Sequence, residues 1–473
     1  MKIWGKFQTI VAASVVVVGL IAGGTIAVSA ATVAVGKSCY PKGSTKTVSA
    51  KKLTCALNTK KKLVWTVVKP TPVVSYAPVA SDKLDVCRIQ DARVKKWQPN
   101  NVGFPHSNDL VPHLGVHEVI LIPVDFSDSV GTQEFLDQQN KQMQTYADWY
   151  KFFSNGRATA KIFTSAKWFR APKPASEYKV GPNVPNAPNP YIQAMDAAAQ
   201  DFINATGSTF DFSNNPAVFF IYPKVNKIGI DNSILGRGVN IQTPQGTKNM
   251  FYFGPGKYSY KLEAQLKEPY SKFWVLWIHE ILHSQGLALH APGNGFKTGL
   301  GQNQELGDQS NTIGMWEAFL LGWLKDSQVY CKVSKDLASE IVVVNPLELA
   351  SDDYKTAIIK LNDHEALVVE SRRPVGYSAD WKTADKGVLV YRVDTQLDND
   401  RTAESNGLDF GNDPAFSKWS FYLMSDRAKK VALPKREHSS YFLTKNDTVE
   451  YGGIKITVVE SGDKDAVRIE KTM

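Results

Sequence analysis

Cysteine is scarce in this chain and poorly spaced for metal. The four residues Cys39, Cys55, Cys87 and Cys331 never come at the short intervals of a zinc–thiolate site, which excludes that class. Four cysteines allow three pairings. Cys39 and Cys55 share one small segment and are expected to pair, which leaves Cys87 for Cys331; the alternative for Cys87 is a thiol that blocks a catalytic zinc in a latent form. No serine or cysteine stands in a recognisable nucleophile setting, so an acyl-enzyme route has no candidate. Internal repeats are absent, which excludes a solenoid or propeller. With 43% hydrophobic and 21% charged residues, the composition is that of an ordinary globular protein rather than a disordered one. At 473 residues it is too long for a single core.

Histidine is also sparse, at positions 106, 113, 117, 279, 283, 290, 364 and 438. Three of these eight fall in the window 279–290, which reads His-Glu-Ile-Leu-His-Ser-Gln-Gly-Leu-Ala-Leu-His. His279 and His283 are one helical turn apart and can hold one Zn²⁺ from the same helix face, while Glu280 on the neighbouring side is placed to act as general base on a zinc-activated water. A His-Glu-x-x-His pattern arises by chance in roughly one such chain in two hundred. The reading is therefore a zinc hydrolase, most often a peptidase; the bland alternative is an amphipathic helix with satisfied histidines.

The basic charge is local. Residues 31–83 carry ten lysines, no arginine and the single acid Asp82, a net +9; residues 1–30 add +2, so 84–473 carry −2 of the overall +9. An arginine-free lysine module suits general contact with a polyanion, or a solubilising face, rather than specific nucleic-acid reading. No nucleic-acid partner is expected. The expected partners are a protein or peptide substrate and an anionic cell-envelope surface, with the chain acting as a monomer.

Lys2 and Lys6 precede an uncharged run to Val35, and Val28-Ser29-Ala30 offers small residues for cleavage before Ala31. This is the layout of a signal peptide over 1–30, with an uncleaved anchor as the alternative. The protein is accordingly expected to be secreted, extracellular or attached to the cell surface. Residues 31–68 then form a small basic β module stapled by one disulfide, and 69–84, with Pro70, Pro72 and Pro78, a Pro-rich linker. Residues 85–335 mix strands (119–126, 161–163, 217–222) with helices (133–153, 191–203, 273–289, 315–324), and Gly286 is a stop signal for the site helix. Residues 336–473 carry short apolar runs such as Ile341-Val342-Val343-Val344 and Val388-Leu389-Val390-Tyr391 between turn signals, a pattern for an all-β C-terminal domain. The fold class is α+β.

A catalytic zinc needs a third protein ligand. The window resembles the metzincin pattern His-Glu-x-x-His-x-x-Gly-x-x-His, but with Leu289 at the usual third-ligand position and His290 one residue later. His290 is the expected third ligand; Glu317 and Asp308 are the alternatives. Four stretches occur in order: Ile120-Leu121-Ile122-Pro123-Val124-Asp125-Phe126, the zinc motif, Met315-Trp316-Glu317-Ala318-Phe319-Leu320-Leu321-Gly322-Trp323, and Glu370-Ser371-Arg372-Arg373 with the strand from Gly387. Together they resemble the immune inhibitor A-like family of secreted bacterial zinc metallopeptidases over roughly 115–400. The resemblance implies a zincin-like catalytic domain followed by a β domain, with His279 and His283 as zinc ligands and Glu280 as base. Where that family has a methionine turn before the Leu-Gly-Trp helix, this chain reads Leu306-Gly307-Asp308-Gln309-Ser310. These departures leave open a catalytically degenerate, peptidase-like surface-binding protein, and the chemistry also fits a hydrolase of cell-wall amides. Asp394, Asp398, Asn399 and Asp400 are the candidate ligands of a structural Ca²⁺, with a solvated turn as the alternative.

Overall fold

The computed structural model describes residues 34–38, 45–48, 51–58, 60, 62–67, 76, 79–93, 101–106, 110–178, 180, 190–223, 234–235, 238–254, 273–287, 312–379, 383–384, 386–397, 421–423 and 441–472. The chain divides into two compact units, Met1–Ser75 and Tyr76–Met473, a division within the expected Pro-rich stretch. The apolar N-terminal run up to residue 33 lies outside the described residues. Among the described residues no helix is long and apolar enough to cross a membrane.

The first unit holds a three-stranded antiparallel sheet, Thr45–Val48, Lys51–Leu57 and Leu63–Val67. Cys55 lies opposite Trp65 in the register, and with Leu53 these two make up its buried core. Three buried side chains are too few to hold a sheet. Cys55 is disulfide-bonded; the expected partner, Cys39, lies outside the described residues. Lys37, Lys46, Lys60 and Lys62 are all exposed, and the Asn58 side chain ties the hairpin turn by accepting from the Lys60 and Lys62 amides, both at 3.0 Å.

The second unit is mixed α/β, with several sheets and few helices. Its central strand, Gly115–Asp125, is buried along almost its whole length. That burial explains the continuous apolar run, because both faces of a parallel sheet are covered. It pairs in parallel with Ala158–Phe163 on one side and Ala217–Ile221 on the other. Tyr252–Gly254 extends the sheet in parallel, and Ile234–Leu235 closes it antiparallel. Helix α1, Gln133–Phe153, begins where the Thr132 hydroxyl accepts from the Phe135 amide, the expected N-cap bond. Its buried positions Leu136, Gln139, Met143, Tyr146, Tyr150 and Phe153 follow the three-and-four spacing of one helix face. Helix α2 covers Pro190–Ala205.

After helix α4, Met315–Leu320, the described residues contain strands and short 3-10 turns only. A five-stranded sheet runs in the order Val329–Val333, Thr356–Lys360, Glu365–Arg372, Gly387–Asp394, Phe421–Leu423, and a four-stranded sheet in the order Glu340–Val344, Asp465–Lys471, Ile454–Ser461, Thr448–Tyr451. Two cores share the five-stranded sheet. Ile358, Ala366, Val368, Leu389, Tyr391 and Val393 enter the core that also holds Trp149, Trp277 and Trp316. Their neighbours Ala357, Ile359, Leu367, Val369, Val388 and Val390 enter a second core with Val342, Ile456, Val458 and Val467. Side chains alternate along a strand, so a sheet covered on both faces must be apolar at every position, as these runs are.

The expected domain boundary at 335/336 falls just beyond Val329–Val333, which pairs in parallel with Thr356–Lys360. Cys331 on that strand is bonded to Cys87, the expected pairing, and no thiol remains on Cys87 to block a metal.

Candidate metal centre

The site helix, α3, spans Phe273–Ser284 and buries Phe273, Trp274, Val275, Trp277, Ile278, Ile281 and Leu282. A helix apolar on nearly every side belongs inside a core. Trp277 stacks on Phe219 of the central sheet at 5.4 Å and 13°, and the Trp274 amide donates to the Gln142 side chain of α1 at 3.1 Å. The histidines are thus presented from a helix held on two sides. His279 is buried, at 4% exposure, while His283 and Glu280 are half-buried.

The His279 and His283 rings meet edge to face at 88°, with Nε2 to Nε2 at 3.1 Å. Two zinc–nitrogen bonds of about 2.0–2.1 Å meeting near the tetrahedral angle hold their nitrogens about 3.3 Å apart. The two Nε2 atoms therefore converge at the bite of a single divalent ion, and the pair fits a zinc. Glu280 follows His279 directly, on the adjoining side of the helix.

The end of α3 is built with equal care. The Leu287 amide donates to the Leu282 carbonyl at 3.1 Å and the Gly286 amide to the His283 carbonyl at 3.0 Å, with Gly286 at φ 88°. These are the two bonds of a Schellman stop, which needs a left-handed residue at this position. Asn101, Leu110 and Val111 then cover carbonyls the helix leaves open. The Leu110 amide donates to Ser284 O at 2.9 Å and the Asn101 amide to Gly286 O at 2.7 Å. Gly286→Ala should cost about 1–2 kcal/mol, the penalty of placing a Cβ in the left-handed region. A urea titration measures it, and an unchanged midpoint would mean that the turn has another accessible geometry.

Of the expected ligands, His279 and His283 are brought together. His290 and Asp308 lie outside the described residues. Among the described residues no group of three or more His, Cys, Asp or Glu side chains is placed to hold a metal. Glu317 is therefore not a third member of the histidine pair among these residues; it belongs to a buried cluster with Glu348, Glu370 and Arg372. The Arg372 Nε lies 3.7 Å from Glu348 Oε1 and 3.5 Å from Glu370 Oε1, all three side chains being fully buried. Burial, with Glu370 nearby, pushes the Glu317 carboxyl up to about 7, and burial pushes Glu348 up to about 7 against the pull of Arg372. Glu370 Oε2 accepts from the Met315 amide at 2.9 Å, and the Tyr391 hydroxyl accepts from the Trp316 amide at 3.0 Å. Glu370 and Tyr391 thus cap α4 from two strands of the five-stranded sheet. Met315 is held at that cap.

Asp394 Oδ1 lies 3.2 Å from His364 Nδ1 and accepts from the Gln396 amide at 3.0 Å; Asp398, Asn399 and Asp400 lie outside the described residues. Sequence reasoning missed the residues that fix the end of α3. The signal was a glutamine between the second histidine and the stop glycine, where a fully buried amide needs partners on both ends.

No family model matches the chain, and no curated protein sequence matches it. Among solved structures it is similar to catalytically inactive OgpA from Akkermansia muciniphila in complex with an O-glycopeptide (glycodrosocin) substrate, at 13% identity over 63% of this chain and 88% of that one, with a TM-score of 0.27. Wild-type OgpA gives 12%, 63%, 89% and 0.25. At these TM-scores the likeness carries no argument about fold or chemistry.

Proposed function

We propose that the chain is a secreted zinc-dependent endopeptidase with a zincin-like catalytic domain of the immune inhibitor A type, in which His279 and His283 hold the metal and Glu280 is the general base. The observation that carries this reading is the 3.1 Å convergence of the two Nε2 atoms beside a half-buried Glu280. His290 is the proposed third ligand. When bound, zinc supplies a Lewis acid that polarises the scissile carbonyl and acidifies a water molecule. Glu280 takes the proton of the attacking water and delivers it to the leaving amine. The buried apolar sides of α3 fix where the imidazoles and the carboxylate stand, so little reorganisation is needed during the reaction. Equilibrium dialysis followed by elemental analysis is the first test. One zinc per chain, with hydrolysis of a peptide library that a chelator abolishes and zinc restores, is the expected result. Stoichiometric zinc with no peptide hydrolysis directs the search to cell-wall amides, and absence of stoichiometric zinc favours the degenerate surface-binding protein.

We assign the exposed lysines of the first unit to an anionic envelope surface. Attraction of exposed charges is screened over about 8–10 Å at about 0.1–0.15 M salt, so binding should fade well before about 1 M. Full-length protein and a form beginning at Ser81 are to be compared by sedimentation with envelopes across a salt series. Equal, salt-independent binding by both would reduce the lysines to a solubilising face.

A further inference from the structure

We infer that the fully buried Gln285, hydrogen-bonded to the Tyr150 hydroxyl and to the Pro112 carbonyl, positions the end of the site helix and so sets the geometry of the His279/His283 pair. The inference rests on the zinc reading above and adds to it residues that no motif marks. Gln285 stands two residues after His283 and is fully buried. Its Nε2 donates to the Pro112 carbonyl at 2.7 Å. Its Oε1 accepts from the Tyr150 hydroxyl at 3.2 Å.

The direction of both Gln285 bonds follows from one fixed end. A proline carbonyl only accepts, so the Gln285 amide group must face Pro112 and its oxygen must face Tyr150. Tyr150 must then donate to Gln285. The Tyr150 ring packs edge to face on the His117 ring at 4.6 Å, and His117 Nε2 lies 3.0 Å from the Tyr146 hydroxyl. Burial holds the His117 imidazole down at about 4.

His117, Tyr146, Tyr150 and Gln285 all lie at 2% exposure or less, so neither hydroxyl has bulk water to fall back on. The supports are rigid. His117 belongs to the central strand and both tyrosines to α1. The Tyr150 ring packs edge to face on Trp323 at 5.6 Å, and the Trp323 indole donates to the His113 carbonyl at 2.8 Å. Gln285 is thus fastened from two directions, to α1 and to Pro112, next to the Leu110 and Val111 amides that already cover the Ser284 carbonyl. Residues that orient metal ligands from behind commonly alter metal affinity by about 10–100-fold when lost. Tyr150 and Gln285 are positioning residues; neither touches the metal or substrate in this scheme.

The test uses the full chain with Tyr150→Phe, which keeps the ring and removes one hydroxyl, and Gln285→Leu, which keeps the volume and removes both bonds. Val458→Ala, in the second core, is the control for lost stability alone. Zinc affinity is read by competition with a chromophoric chelator, and ligand geometry by the visible spectrum of the Co²⁺ form. The expected result is a loss of zinc affinity of about tenfold or more in each variant, with altered Co²⁺ bands and a double variant no worse than the poorer single one. The Val458→Ala control keeps affinity and spectrum. Wild-type affinity and spectrum in both variants, or an equal loss in Val458→Ala, overturns the inference while leaving the zinc reading intact. A parent protein that binds neither Zn²⁺ nor Co²⁺ overturns both.

Discussion

Glu280→Gln should keep zinc at wild-type stoichiometry and lower kcat by about 10²–10⁴-fold, the usual contribution of a positioned general base. The amide matches the carboxylate in shape but accepts no proton, and both imidazoles remain. His283→Ala should behave differently. It removes one of the two Nε2 atoms that stand 3.1 Å apart, so metal and activity are lost together. Zinc content and peptide hydrolysis, measured on the same preparations, separate the two roles. A Glu280→Gln protein that cleaves at the parent rate would remove Glu280 from the mechanism, whatever the metal content.

Stability should fall as pH rises from about 4.5 to about 7, and Glu317→Gln should flatten that fall. The Glu317 and Glu348 carboxyls both sit near 7 in the folded protein instead of the ordinary 4.5. Below pH 4.5 folded and unfolded states are both protonated, and these groups impose no penalty. Between 4.5 and 7 the unfolded chain releases protons that the folded one retains, so the unfolded state gains. Above 7 the penalty is complete, on the order of 3 kcal/mol for each group taken alone. The physical cause is burial, which penalises the charged form of both carboxyls more than Arg372 beside them offsets. Urea midpoints at intervals from pH 5 to pH 8.5 measure the effect. A parent curve that is flat over this range, or a Glu317→Gln curve as steep as the parent, would place the proton release elsewhere.

The sequence determined more of this protein than its weak likeness to known structures does. Period and apolar runs located the central strand, α1, α2 and the C-terminal strands, because burial on one or both faces is written into the spacing of side chains along a helix or strand. Gly286 marked the end of α3, because only a residue free to adopt positive φ closes a helix in that way. The His279-Glu280-His283 spacing brought two imidazole nitrogens within 3.1 Å beside a carboxylate, because one helical turn is a local fact that needs no partner element. Cys87 and Cys331, by contrast, could be paired only by elimination.

Tertiary structure decided the rest. Glu317 sits one turn inside α4 and satisfied the sequence requirements for a ligand, yet the five-stranded sheet places it beside Glu370 and Arg372. Val329–Val333 reads locally like the close of one domain, but its ladder partner, Thr356–Lys360, makes it the edge of the next sheet. Gln285 carried no motif signal, and its two partners come from positions 112 and 150. Contacts between residues so distant in the chain are fixed by how the layers pack, and neither periodicity nor motif spacing carries that information.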